Sequence, residues 1–220
     1  MNGEFGSRSS RPEILVKLEQ AAPPAGLTRL TPTVGAEMIG ILSHHYRTAD
    51  LSRLQNCLQA ALADILPEPE TFALRDFHAE NLIWRASETG IDRVGLLDFQ
   101  DAFVAPAGYD LASLLRDARR EVSPETVAAT IGYYADQTGR ALTRVQTEIS
   151  TLAVQRNLRI LGVFAKLACV DGKARYLQFM PRVWQHIMTD LARDALAPLR
   201  AAVLETLPAP TPEYLEGLLK

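Results

Sequence analysis

The chain has 220 residues, 23 Lys+Arg against 26 Asp+Glu, two cysteines and 47% hydrophobic content. That length can bury the core of one ordinary domain, or of a domain with a small appendage. A net charge of −3 removes any global electrostatic case for nucleic acid or anionic membranes, and Cys57 and Cys169 are too few for a disulfide framework.

No apolar run reaches the length needed to cross a bilayer and no signal-peptide pattern opens the chain, so a cytoplasmic protein is expected. Residues 1–11 are small, polar and aperiodic, and read as a disordered tail or a cloning scar. Residues 12–20 have the makings of one or two helical turns. Ala21 to Pro32 is then a linker, because three prolines and a glycine in twelve residues prevent helix propagation. Val34, Met38, Ile41, Leu42 and Tyr46 have helical spacing. After Asp50 as N-cap, Leu51, Leu54, Leu58, Leu62, Ile65 and Leu66 predict a second amphipathic helix, closed by Pro67 and Pro69. Together they make a helical pair over 33–66.

The character changes at Thr71. Phe72 to Leu74, Leu82 to Trp84 and Val94 to Leu97 are short apolar runs bounded by polar residues, so they read as strands. The polar segment 85–93 joins the last two into a hairpin. Helical periodicity returns after Pro106, with Leu111, Leu114, Leu115 and Ala118 on one face. Ser123-Pro124 opens a further helix, punctuated by Gly139. Two long helices follow, one carrying Val145 to Leu167 and one carrying Val183 to Leu199, with Pro198 bending or restarting the second. The expected organisation is mostly helical α+β, with a helical bundle over 107–207 and the few strands clustered in 71–104.

That cluster carries the chemistry. It contains Leu74-Arg75-Asp76-Phe77-His78-Ala79-Glu80-Asn81, and then Leu96-Leu97-Asp98-Phe99-Gln100-Asp101. Phosphoryl transfer needs a carboxylate to orient the acceptor hydroxyl and take its proton, plus oxygen ligands for magnesium. Mg²⁺ prefers hard oxygen donors and keeps several waters, so one carboxylate and one amide oxygen suffice. An Asp followed five residues later by Asn lets a turn present both to one pocket. A hairpin whose second strand ends in Asp brings another carboxylate back beside the Asn.

The stretches LRDFHAEN and GLLDFQDA resemble the catalytic loop and metal-binding segment of the aminoglycoside phosphotransferase and choline kinase-like families, relatives of protein kinases. The likeness continues through Tyr109-Asp110-Leu111, Leu114 to Arg120, Gln155 to Gly162 and Pro181 to Trp184. It is strongest to the bacterial subgroup that includes kinases of N-acetylmuramate and N-acetylglucosamine. The resemblance implies Asp76 as catalytic base, with Asn81 and Asp98 holding Mg²⁺ on the phosphates of ATP. It also implies a phosphotransferase large lobe over 12–216, acting on a sugar or amino-sugar hydroxyl in cell-wall sugar recycling, with no nucleic-acid or membrane partner. The oligomeric state is left open.

Two departures stand out. Leu74 occupies the place where these families often put a histidine. Upstream of Asp76, no segment reads as a glycine-rich hairpin, and Lys17, the sole lysine there, lies in a helix. The resemblance therefore implies that the N-terminal nucleotide lobe is missing from this chain, which is expected to be inactive or weak alone. The alternatives are a non-catalytic kinase-like fragment or binding module and, with less support, a metal-dependent phosphohydrolase using Asp76, Asp98 and Asp101.

Other residues have competing roles. His78 lies near Glu80, but two residues do not make a zinc site, so a structural or substrate-edge role is favoured. Arg75 is a supporting candidate beside the base. Asp101 either assists the metal site or makes structural hydrogen bonds. Asp110 either caps its helix or braces the catalytic loop. Arg156, Arg159, Arg175 and Arg182 are candidates to meet an anionic sugar or phosphate, against the commoner fates of solvated faces and internal ion pairs.

Overall fold

The computed structural model describes residues 10–65 and 71–219. Of the expected N-terminal tail, residues 1–9 lie outside the described residues, and helix α1 spans Ser10–Gln20. The Pro-rich segment leads to α2 (Pro32–Glu37), where the Thr31 hydroxyl accepts the Val34 N–H at 3.2 Å and Pro32 fills the first turn. A 3₁₀ turn over Met38–Gly40 joins α2 to α3 (Ile41–His45). The helical periodicity of 34–46 thus becomes one helical run with a tightened middle. Helix α4 (Ser52–Ile65) starts where the Asp50 carboxylate accepts the Ser52 N–H at 2.9 Å. Pro67 and Pro69, expected to end it, lie outside the described residues.

Strands β1 (Thr71–Ala73), β2 (Leu82–Trp84), β3 (Val94–Leu96) and β4 (Phe103–Ala105) follow. Next come α5 (Tyr109–Leu115), α6 (Pro124–Thr138) and the long α7 (Leu142–Cys169). The Ser123 hydroxyl caps α6 by accepting the Thr126 N–H, and Gly139, with φ of 64°, ends it in the left-handed conformation that suits glycine. The apolar stripe from 183 to 199, expected to bend or restart at Pro198, is divided into two helices. Helix α8 (Met180–Asp190) stops, a 3₁₀ turn intervenes, and α9 (Ala197–Thr206) restarts with Pro198 in its first turn. Helix α10 (Pro212–Leu218) completes the order. No helix among the described residues is long and apolar enough to cross a membrane.

The described residues divide into two compact units, 10–29 with 71–149 and 30–65 with 150–219. In the first, β1 and β4 pair antiparallel with Thr71 opposite Ala105, and β2 and β3 form the antiparallel hairpin with Leu82 opposite Leu96. Arg29 adds a parallel bridge to Val104, whose N–H donates to the Thr28 carbonyl at 2.9 Å. Helix α1 packs on β1, α5 and α6, and the core of this unit gathers Leu15, Phe77, Leu111, Tyr134 and Val145. In the second unit α4 packs between α2 and α9, burying Leu54, Leu58, Leu62, Leu199 and Val203. The α10 residue Tyr214 donates its hydroxyl to the Tyr46 carbonyl, and Tyr46 donates its own to the Pro208 carbonyl at 2.6 Å. Both hydrogen bonds tie the C-terminal segment to the end of α3.

Candidate active site

The residues between β1 and β2 form a tight loop closed by its own backbone. Asp76 N–H donates to the Leu74 carbonyl, His78 N–H to the Asp76 carbonyl and Asn81 N–H to the His78 carbonyl, at 2.9, 3.1 and 2.9 Å. The loop therefore turns back on itself and delivers Asn81 next to Asp76. The Asn81 side-chain NH₂ donates to the Asp76 carbonyl at 2.9 Å and lies 3.5 Å from Asp98 Oδ2. Across the β2–β3 hairpin, Leu97 N–H donates to the Asn81 carbonyl at 2.9 Å, which holds the next residue, Asp98, alongside. The three residues singled out by spacing converge within one unit.

Arg75 and Asp98 are the non-glycine residues with positive φ among the described residues, at 72° and 59°. Left-handed backbone costs an L-residue about 1–2 kcal/mol, less for Asp, whose side chain bonds locally. Such strain persists only where surrounding contacts over-determine it, and it concentrates at functional sites. Here the over-determining contact is visible. The Asp110 carboxylate, 4% exposed in the first turn of α5, accepts the Leu74 N–H at 2.6 Å and the Arg75 N–H at 3.0 Å. Of the two roles open to Asp110, it takes the brace. The Arg75 guanidinium stacks 5.7 Å over the Phe103 ring, so the side chain is anchored as well as the backbone.

The remaining candidates take different places. His78 is buried within the loop, with extended backbone, which places it in the loop's framework. Asp101 is exposed, and no hydrogen bond among the described residues ties it to Asn81 or Asp98. Asp76 is half-buried, and its carboxylate receives no hydrogen bond from the described residues, so both oxygens remain available to a ligand hydroxyl. Asp98 Oδ1 accepts from the Gln100 side chain, while Oδ2 faces Asn81.

This donor set fits magnesium. The Asn81 nitrogen is satisfied by the Asp76 carbonyl, which leaves the amide oxygen of this residue uncommitted as a hard donor, and the exposed Asp98 side chain adds a carboxylate. One carboxylate and one amide oxygen are what an ion that keeps waters and shares phosphate oxygens requires. Among the described residues no group of three or more His, Cys, Asp or Glu side chains forms a metal cluster.

Two further supports were not legible in the sequence. The Arg119 guanidinium pairs with Glu80 of the loop at 3.0 Å, and the buried Asp117 accepts the Arg119 N–H at 2.9 Å. The loop is thus held by Asp110 in the first turn of α5 and by Arg119 in the segment that follows the helix. The Glu19 carboxylate of α1 accepts the Gly108 N–H at 2.6 Å and the Tyr134 hydroxyl at 2.5 Å. Burial raises the Glu19 carboxyl above its ordinary value, against the opposing pull of those two hydrogen bonds. Gly108 has φ of 90°, and a Cβ there would lie 2.6 Å from Ile149 Cδ1, so only glycine fits before Tyr109 and Asp110.

Residues 13–146 match the profile of the phosphotransferase enzyme family, and the chain belongs to that family. The chain is similar to several proteins named N-acetylmuramate/N-acetylglucosamine kinase. That of Caulobacter vibrioides is 47% identical over 131 residues, covering 59% of this chain and 36% of the relative. That of Neisseria meningitidis is 35% identical over 159 residues, covering 69% and 46%. That of Pseudomonas putida is 30% identical over 155 residues, covering 67% and 44%. The chain spans less than half the length of these curated relatives.

Proposed function

We propose that these residues form the large lobe of a small-molecule kinase that moves the terminal phosphoryl group of ATP to a hydroxyl of an amino sugar. The observation that carries this reading is the meeting of Asp76, Asn81 and Asp98 through the Asn81 side chain. The names of the relatives support N-acetylmuramate or N-acetylglucosamine as the acceptor.

In this reading Asp76 accepts a hydrogen bond from the acceptor hydroxyl, orients its oxygen and takes its proton as that oxygen bonds to the γ-phosphorus and the bond from phosphorus to the bridging oxygen breaks, releasing ADP. Asn81 and Asp98 would hold Mg²⁺, which when bound would supply charge neutralisation on the phosphate oxygens. Asp110 fixes the backbone on the N-terminal side of Asp76, and Asn81 clamps the Asp76 carbonyl on the other side. The base is therefore pre-positioned, which matters because in-line transfer depends mainly on placement and electrostatics.

Ile83, Trp84, Leu97 and Phe99 are large, apolar and 44–61% exposed around this hairpin. They are the surface that a nucleotide base and a nucleotide-binding lobe would cover. Lys17 is exposed within α1 and does not supply the phosphate-binding lysine of a kinase. The 220 residues alone are accordingly expected to bind ATP weakly, mainly through the metal, and to turn over slowly.

The test is paramagnetic broadening by Mn²⁺ with ATP, read on the amide signals of the chain. Broadening centred on Asn81 and Asp98, and lost in Asp98→Asn, is expected. Broadening that is unchanged in Asp98→Asn removes the metal-site assignment.

A further inference from the structure

Helix α7 is buried on nearly all sides between Ser150 and Leu161, yet that stretch carries Ser150, Thr151, Gln155, Arg156 and Asn157. Most of the polar groups on and around this helix have partners. Glu148, the helix's one carboxylate, accepts from Arg140 and Arg144. Ser150 donates to Asp190 at 3.1 Å and accepts from Arg193 at 2.9 Å. Gln155 donates to the Gly35 carbonyl at 3.1 Å.

Arg156 is the exception that bears a charge. It is 4% exposed, its Nη1 is shielded from solvent without a hydrogen-bond partner, and no carboxylate among the described residues pairs with it. Folded proteins pair or hydrogen-bond a buried cation, because an uncompensated one forfeits its hydration with no return. Glu148 is two helical turns away and already holds two guanidinium groups. Asn157, fully buried with neither amide atom bonded, shows the same unused capacity. Its amide is uncharged and projects about 100° around the helix from Arg156, so it does not supply the missing anion.

The face carrying Arg156 also leads outward. Arg159, Val163 and Lys166 follow at helical spacing, and burial falls along them from buried Arg156 through half-buried Arg159 and Val163 to exposed Lys166. That face is cationic and opens to solvent.

We infer that Arg156 anchors a binding site in the second unit for a small oxyanion, a carboxylate or a phosphate. The guanidinium fork matches both groups in bidentate geometry, whereas water or a neutral hydroxyl would leave its charge uncompensated. N-acetylmuramate carries a carboxylate on its lactyl ether and N-acetylglucosamine carries none. Only the choice of these sugars as probes rests on the proposed kinase function.

The experiment compares the wild-type chain with Arg156→Met and Arg156→Lys by thermal melting and calorimetric titration, in a zwitterionic buffer free of phosphate and carboxylate. The probes are inorganic phosphate, N-acetylmuramate and the neutral N-acetylglucosamine. Phosphate, N-acetylmuramate or both are expected to raise the wild-type melting temperature. Arg156→Met should bind the same probe at least tenfold more weakly, and Arg156→Lys should fall between. Without any probe, Arg156→Met should melt at or above wild type, because an isosteric apolar chain removes an uncompensated charge. N-acetylglucosamine should act alike on wild type and Arg156→Met.

An oxyanion response that is absent in wild type, or unchanged in Arg156→Met, overturns the inference. So does an Arg156→Met chain that melts below wild type or fails to fold, since the arginine is then structural. Phosphate binding that depends on Arg156, with neither sugar bound, supports the anion site and counts against the amino-sugar acceptor instead.

Discussion

Replacing Asp110 by Asn tests whether the catalytic loop is held from beneath by one buried carboxylate. Asp110 accepts two backbone N–H groups, at 2.6 and 3.0 Å, and is 4% exposed. Hydrogen bonds to a charged group contribute about 1.5–3 kcal/mol each, and a buried N–H left without a partner costs about 1–3 kcal/mol. Asparagine keeps one acceptor oxygen and turns an NH₂ towards the other donor, so one bond is lost and one N–H is stranded. The left-handed Arg75, at φ of 72°, then loses the contact that offsets its strain. A loss of about 3 kcal/mol is expected, with some recovered as Arg75 relaxes towards ordinary backbone. Urea unfolding followed by circular dichroism measures it, with the slope compared to confirm that the same surface unfolds. A change below about 0.5 kcal/mol, the range typical of surface substitutions, would show that Asp110 does not brace the loop.

Three further outcomes are expected. Gly162→Ala would put a Cβ 2.6 Å from Ile41 Cγ2 and 3.1 Å from the Ile41 backbone, where α7 meets α3. A loss of about 1–3 kcal/mol in the same unfolding assay is expected, and a stabilised variant would refute the close approach. Glu19 has a raised folded pKa, so its contribution to stability is fully present below the unfolded value of 4.5 and is lost as pH rises through the folded value. The stability of wild type relative to Glu19→Gln should therefore decline with rising pH above 4.5, and a difference that grows with pH contradicts the desolvation argument. Replacing both Arg140 and Arg144 by Leu should harm stability more than Glu148→Leu, because the double change strands a carboxylate that is 2% exposed while the arginines, 29% and 52% exposed, can reach water. Equal losses in melts of the two variants would count against that asymmetry.

What was legible in the sequence was local. Asp76, Asn81 and Asp98 could be placed because a five-residue turn and a hairpin fix their neighbourhood with little help from distant residues. The caps at Asp50 and Ser123 announced α4 and α6 for the same reason. Thr211-Pro212 carries the same start signal for α10, where the Thr211 hydroxyl accepts the Tyr214 N–H. Strand β4 is three residues long and acquires its identity only by pairing with β1 across more than twenty intervening residues. The contacts of Glu19 lie 89 and 115 residues away, so nothing near position 19 betrays them. The choice between brace and cap at Asp110 likewise needed Leu74 and Arg75 in space.

The most direct test of phosphoryl transfer through Asp76 is to graft these residues into a longer relative. The matching segment of the Caulobacter vibrioides kinase, 47% identical over 131 residues, would be replaced by that of this chain. Transfer of labelled γ-phosphate from ATP to N-acetylmuramate and N-acetylglucosamine would then be measured. Transfer by the chimera is expected, with a loss of about 10²–10⁴-fold in Asp76→Asn at unchanged melting temperature. A chimera that transfers phosphate equally well with Asn at position 76 would contradict transfer through Asp76.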